Sequence, residues 1–281
     1  MTNLNPHDVD PLEIEKWRTW IGKSESRTEI LDVESLRRFA AAIGEDLDVE
    51  KTQPSLAHWA FFLPVVSPDQ IGPDGHSKRG GFLPAITLPR RMFASSQMRF
   101  DRPLTMGRPA TRTSVIADVK HKPGKSGDLV LVDVEHTITQ GGKDCVVERQ
   151  TIVYRGDGGR TPAVVAVEQA ADPADVLWQP GPVDLFRFSA VTFNSHRIHY
   201  DHAYTTEIEG YPGLVVHGPF TAAKLYGYAA KTGGPLKAFA FRASAPLFVG
   251  QPVRLTGGDA SQEVRAVRCD GVTAMSATVT R

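Results

Sequence analysis

The sequence predicts an α+β chain made of two copies of one antiparallel-sheet module. Three observations carry this. Residues 99–109 (RFDRPLTMGRP) and 242–252 (RASAPLFVGQP) share the pattern R-x-x-x-P-L-x-x-G-x-P at an offset of 143. Upstream, Arg38-Phe39 and Arg187-Phe188 open two similar segments, 38–45 and 187–194, at an offset of 149. In each half a helical pattern comes early and strand patterns come late, the order of an α+β module. Pro and Gly punctuate many unrelated loops. Two matches in the same order at nearly the same offset nevertheless favour duplication, and the period is far too long for a solenoid.

In the first half, Asp32 is the N-cap of a helix beginning at Val33. Strands follow at about 110–120, 128–139 and 145–155, the second placing Val130, Val132, Val134 and Ile138 on one face. Residues 122–127 and 140–143, rich in Gly and Lys, are the turns between them. A Gly-, Pro- and Ala-rich stretch, 156–180, connects the halves, giving modules at 1–155 and 181–281. In the second half the segment 217–231 (HGPFTAAKLYGYAAK) reads as a helix packed on a sheet, since it carries few charges. Strands near 251–257, 261–269 and 272–280 complete the copy.

Composition narrows the partners. Lys+Arg and Asp+Glu both total 32, so the basic excess of a nucleic-acid binder is missing. No run approaches the roughly 18 apolar residues of a spanning helix, and the polar, acidic start has no signal-like apolar region. The two cysteines, Cys145 and Cys269, suit a reducing compartment, and a cytoplasmic location is the expectation. No G-x-x-x-x-G-K-[ST] or G-x-G-x-x-G motif stands in a strand–helix setting, so nucleotide redox chemistry is not indicated and no cofactor is expected.

The chemistry concentrates in residues 187–218, RFSAVTFNSHRIHYDHAYTTEIEGYPGLVVHG, where four histidines lie between positions 196 and 217. Histidine titrates nearest neutrality and is a natural proton-transfer group. The segment ends in Gly218-Pro219 at a helix start, where free backbone N–H groups can meet developing negative charge. The spacing His196-x-x-His199-x-x-His202 does not read as a metal site, because the third residue points about 120° away from the first two on a helix. At offset 149 the first copy has no histidine over 44–50, and at offset 143 its residues 73–76 stand opposite 216–219. One working site per chain, in the second half, is therefore expected.

The segments FSAVTFNSHRIHYD (188–201) and GLVVHGP (213–219) resemble the hydratase/dehydratase branch of the MaoC-like hot-dog proteins. Residues 79–84 and 88–92 resemble the N-terminal module of two-module members, the mesaconyl-, methylfumaryl- and itaconyl-CoA hydratase type. The resemblance implies a double hot-dog fold, each module an antiparallel sheet wrapped around a central helix. It implies reversible hydration of a 2-enoyl-CoA, with a short branched dicarboxylic acyl group. Simpler relatives pair an Asp with a His five residues on; this chain has Asn194 and His199 at those places, so proton transfer falls to His199. Asn194 would hold the water or the thioester, and Gly218 N–H would stabilise the enolate oxygen. Arg79, Arg90 and Arg91 are candidates for CoA phosphates or a free carboxylate, against a plain reading as surface arginines. His217, Phe193 and Tyr200 are candidate pocket residues, though aromatics at this spacing also suit a core. The resemblance makes acyl-CoA the partner and a homodimer an alternative to a monomer. A fatty-acyl thioester dehydratase and a non-catalytic acyl-thioester binding module are the competing functions.

Overall fold

The computed structural model describes residues 9–123, 127–169, 172–258 and 262–281. Ten antiparallel strands form a single sheet. The first half contributes β1 (Ser24–Ile30), β2 (Arg90–Phe100), β3 (Pro109–Lys122), β4 (Leu129–Gln140) and β5 (Lys143–Arg155). The second contributes β6 (Val176–Trp178), β7 (Ala238–Ala243), β8 (Val253–Gly257), β9 (Glu263–Arg268) and β10 (Thr273–Thr280). The spatial order is β1-β3-β4-β5-β2-β7-β10-β9-β8-β6. Read outward from the central β2–β7 pair, the two halves have the same order. Residues 176–178, at the end of the connecting stretch, form β6 and hold in the second half the edge that β1 holds in the first. The tip of the first turn and the residue Lys125 within it lie outside the described residues.

The duplication is visible as contacts between counterparts. In the β2–β7 pair, Gln97 lies opposite Ala240, its own partner at the 143-residue offset. Phe39 packs on Phe188, its partner at the 149-residue offset, with ring centroids 6.1 Å apart. Self-pairing of equivalent positions is what a local two-fold axis requires, and here one axis passes through both the sheet and the helix layer.

Helix α1 (Pro11–Arg18) covers the far end of the first half's sheet, burying Ile14 and Trp17 beside Val130, Val132 and Tyr154. Helix α2 (Val33–Ile43) is capped by Asp32, which accepts hydrogen bonds from the Glu34 and Ser35 N–H groups. It ends at Gly44 in the left-handed conformation, φ 74°. Its Leu36, Phe39, Ala40 and Ile43 face the core. Helix α3 (Pro182–Thr192) is its repeat and packs against it. Helix α4 (Gly218–Gly233) is the long central helix, burying Phe220, Ala222, Ala223, Leu225 and Ala229.

Among the described residues the first half has no counterpart of α4. Residues 45–89 carry prolines at 54, 64, 68, 73, 84 and 89, each removing a backbone donor. They form only short 3-10 turns, Ala57–Ala60 and Pro68–Gln70. Aromatic and polar side chains fill the space instead. The buried Glu148 carboxylate accepts from Trp59 Nε1 (3.1 Å) and Ser96 Oγ (2.8 Å) and lies 3.1 Å from His58 Nε2. The remainder of the 45–89 segment is free to reach across to the second half.

Candidate active site

His199 is buried in a 3-10 turn, Arg197–His199, that follows α3. Its Nδ1 lies 2.7 Å from the Val215 carbonyl. A carbonyl can only accept, so Nδ1 carries the proton and Nε2 keeps its lone pair. Burial is the main cause that lowers its pKa, to about 4; the Val215 bond opposes this, and the His76 charge adds to it. The ring is neutral at physiological pH, the state a general base needs.

His217 stacks on His199 with centroids 3.6 Å apart and planes 21° apart. Ser189 Oγ hydrogen-bonds to His217 Nε2 at 2.8 Å, and Phe188 packs against the ring. His217 is fully buried, and burial holds its pKa well below the ordinary histidine value. It is a flat neutral backing that fixes the base. It is also the N-cap of α4, so the base lies beside the helix tip. Thr221 N–H bonds to the His217 carbonyl at 3.1 Å. Ahead of it, the Gly218 and Phe220 N–H groups find no acceptor among the described residues. A Cβ at Gly218 would meet only the Phe93 carbonyl, at 3.8 Å, so one face of the tip is open.

Asn194 follows α3 directly, after Phe193 in the left-handed conformation (φ 49°). Its Oδ1 accepts from His196 N–H at 3.0 Å, closing an Asx turn. The side-chain amide N–H groups remain available to a ligand. Phe193 and Tyr200 are 56% and 51% exposed, which puts them on the rim rather than in the core. His202 is exposed as well. Asp201 orients Arg197 through bonds of 3.0 and 2.7 Å.

The three arginines part company. Arg79 donates to the carbonyls of Ile86, Leu88 and Pro89 and so ties down its own loop. Arg90 is buried; it donates to Asp157 Oδ1 (2.6 Å) and the Glu209 carbonyl (2.8 Å) and lies over Tyr211. Arg91 is half-buried and has no carboxylate partner among the described residues. Its charge is felt by both His76 and His196. A cleft of about 700 Å³ borders this region, lined by Asp74, Lys78, Arg79, Arg90 and Glu209 among others.

Sequence reasoning did not find the loop at 72–78. It crosses to the second half and rests on the 194–197 turn. Arg197 N–H donates to the Asp74 carbonyl (2.9 Å) and Arg197 Nη1 to the Pro73 carbonyl (3.0 Å). Gly75 has φ +88°, and a Cβ there would fall 1.8 Å from the Ser195 carbonyl oxygen. The contact sets His76 3.9 Å from His196, ring to ring, and His196 lies edge-on to His199 at 5.4 Å. The offset alignment pairs 73–76 with the helix tip 216–219, but no helix follows Gly75. The signal available in the sequence was the Asp-Gly-His triplet itself.

A neutral buried imidazole stacked on a second one, beside a helix tip with free amides, is a set of groups suited to an acyl-thioester hydro-lyase of the hot-dog class. The chain belongs to the hydroxyacyl-thioester dehydratase type 2 family, whose model matches residues 56–249. It is 43% identical over 272 residues to mesaconyl-C(4)-CoA hydratase of Chloroflexus aurantiacus, covering 94% of this chain and 97% of that protein. It is 24% identical to the mitochondrial hydroxyacyl-thioester dehydratase type 2 of Schizosaccharomyces pombe, over 76% of this chain and 80% of that one. A crystal structure of a MaoC-like dehydratase from Phytophthora capsici superposes with a TM-score of 0.67 at 16% identity, covering 95% of this chain and 98% of the other. A Mycobacterium tuberculosis protein described as a double hotdog gives 0.53 at 13% identity, over 92% and 95%. The double hot-dog fold implied by the resemblance is the fold observed, with one correction: among the described residues only the second module has the central helix, the proline-rich 45–89 segment standing in its place in the first. Among the described residues, no helix is long and apolar enough to cross a membrane.

Proposed function

We propose that the chain hydrates a short, branched, dicarboxylic 2-enoyl-CoA of the mesaconyl-C4-CoA type. The observation that carries the reading is the 43% identity to a hydratase of that substrate, over nearly the full length of both chains. The site chemistry agrees with it. Water attacks the β-carbon while His199 Nε2 takes its proton, and electron density moves through the thioester to its oxygen. Gly218 N–H meets that oxygen at the open helix tip. Return of the proton from His199 to the α-carbon on the same face completes syn addition. Asn194, with its oxygen engaged by His196 N–H, orients the thioester or water through its amide. Arg91, which has no carboxylate partner among the described residues, takes the acyl carboxylate. Arg79 and Arg90 shape the wall and the cleft toward the CoA phosphates, with Phe193 and Tyr200 at the rim and His217 behind the base.

The working site is assigned to the module at 181–281. A cytoplasmic setting suits the two buried free cysteines, and a homodimer is to be tested against a monomer by sedimentation. Hydration of mesaconyl-C4-CoA and crotonyl-CoA, followed by loss of enoyl absorbance, tests the function. A kcat/KM at least tenfold higher for the dicarboxylic thioester is expected. Preference for long unbranched enoyl thioesters would favour the fatty-acyl dehydratase reading. No turnover of any enoyl thioester would leave a binding module.

A further inference from the structure

In a thioester of this class the free carboxylate is attached to the β-carbon, the same carbon that receives the water. The group that recognises it must therefore lie directly beside the base, not at the end of a long pocket. His199 lies between the turn after α3 and the segment 213–217 that leads into α4, and the 72–78 loop of the other half reaches it through His196. Only the last brings new polar chemistry.

Asp74 holds His76 twice. Its Oδ1 accepts from the His76 backbone N–H (3.0 Å) and its Oδ2 from His76 Nδ1–H (2.9 Å). Burial acts to raise the Asp74 carboxyl, but the bond and charge of His76 hold it well below the usual carboxylate range. Burial, with the charges of Arg91 and Arg79, lowers the His76 pKa against the pull of Asp74, so the empty site holds a neutral ring with Nε2 outward and bare; an arriving carboxylate is bound as Nε2 takes up a proton, with Asp74 on Nδ1 supporting the charged ring. His196 lies against this ring, and Arg91 acts on both. Asp74, His76 and His196 place ligand-type atoms within 4.8 Å of one another. A metal cation there would compete with His76 for both Asp74 oxygens and face the charges of Arg79 and Arg91. The surroundings suit an anion.

We propose that His76, oriented by Asp74, is a specificity-determining residue that binds the substrate's β-carboxylate together with Arg91, so that the active site is built from both halves of the chain. This rests on the dicarboxylic reading above. His76 is contributed by the copy that carries no base, and Gly75 is the residue that lets its loop approach closely enough.

The test compares kcat/KM for mesaconyl-C4-CoA and crotonyl-CoA in the wild type, His76→Ala, His76→Gln and Asp74→Asn. Loss of a hydrogen bond to a charged group predicts about a 10–100-fold fall on the dicarboxylic substrate for His76→Ala, with crotonyl-CoA hydration changed by less than about threefold. His76→Gln, which keeps a donor without the charge, should recover part of the loss. Asp74→Asn should reduce the same ratio by a smaller factor. The crotonyl-CoA rate reports folding. If His76→Ala fails to fold, the glutamine and asparagine variants decide. Equal loss on both substrates in a folded variant, with wild-type preference intact, overturns the His76 assignment alone. A wild type that prefers crotonyl-CoA overturns the dicarboxylic reading and this proposal with it.

Discussion

The proposed reaction places its proton transfer on one imidazole, that of His199. Replacement by alanine removes the imidazole to which the proton transfer is assigned and should lower kcat by at least ~100-fold. Circular dichroism should be unchanged, because His217 remains held by Ser189. A near-wild-type rate would remove His199 from the reaction. Its folded pKa of about 4 also sets the pH profile. The neutral ring is the base, so hydration should be flat from neutrality down to about pH 5 and fall as pH drops through about 4. A descending limb centred near 6.5, the ordinary histidine value, would mean that the ring is solvated in solution. Gly218 gives a complementary test. Alanine fits there without collision and favours helix, so Gly218→Ala should keep or raise Tm. It should still slow turnover, because a methyl group would stand where the thioester oxygen approaches. Both residues were legible in the sequence, because each belongs to a contiguous motif. His76 was not: its role depends on a crossing between segments 120 residues apart.

Elements divide in the same way. The strands that alternate cleanly, β3, β4, β5, β8, β9 and β10, lie within a few residues of where periodicity puts them. The central pair escaped. β2 and β7 pair with each other across the halves, and β2 carries a register shift between Phe93 and Ser95. The bulge breaks the period of β2, and β7, AFAFRA, alternates over only 6 residues. The edge strand β1, SESRTEI, is nearly all exposed and polar, so its composition hides a strand while protecting an edge. Helices α2 and α4 were clearer, because a cap and a run with few charges are local signals, whereas α1 was not read. Phe188 joins α3 to α2 at Phe39 and to α4 at Phe220, the latter stacked at 4.9 Å. Phe188→Ala should cost about 3–5 kcal/mol, read as a lower denaturation midpoint at unchanged slope. A loss below ~1 kcal/mol would mean that the helix layer repacks freely around the axis.

Across the whole molecule, buried neutral histidines link folding to acid. His199 and His136 titrate near 4 in the folded chain, and His196 near 2, against 6.5 for the free side chain; burial is the first cause in each. The unfolded chain therefore binds more protons below about pH 6.5, and stability falls with pH through that window and on through 4. Glu148, held to about 2 by His58 against the effect of burial, extends the loss to lower pH. Tm should drop by at least ~5 °C between pH 7 and pH 5; a flat Tm over that range would contradict the burial of these rings. The duplicated architecture was readable from two short matches, since motif spacing survives where residue identity does not. The division of labour was only half readable: the histidine-rich motif marks the second copy, but nothing local in the sequence marks the loop by which the first copy reaches it.

That contribution follows from the prolines between 54 and 89. In an assembly of two identical subunits, every change is made twice. A subunit that gave up its central helix would strip both sites at once, and a loop lengthened to cover one site would have to be matched on the other. Tandem fusion removes that constraint. Here one repeat could go without its central helix and extend a loop onto its sibling, an asymmetry that a pair of identical subunits could not hold at one site alone.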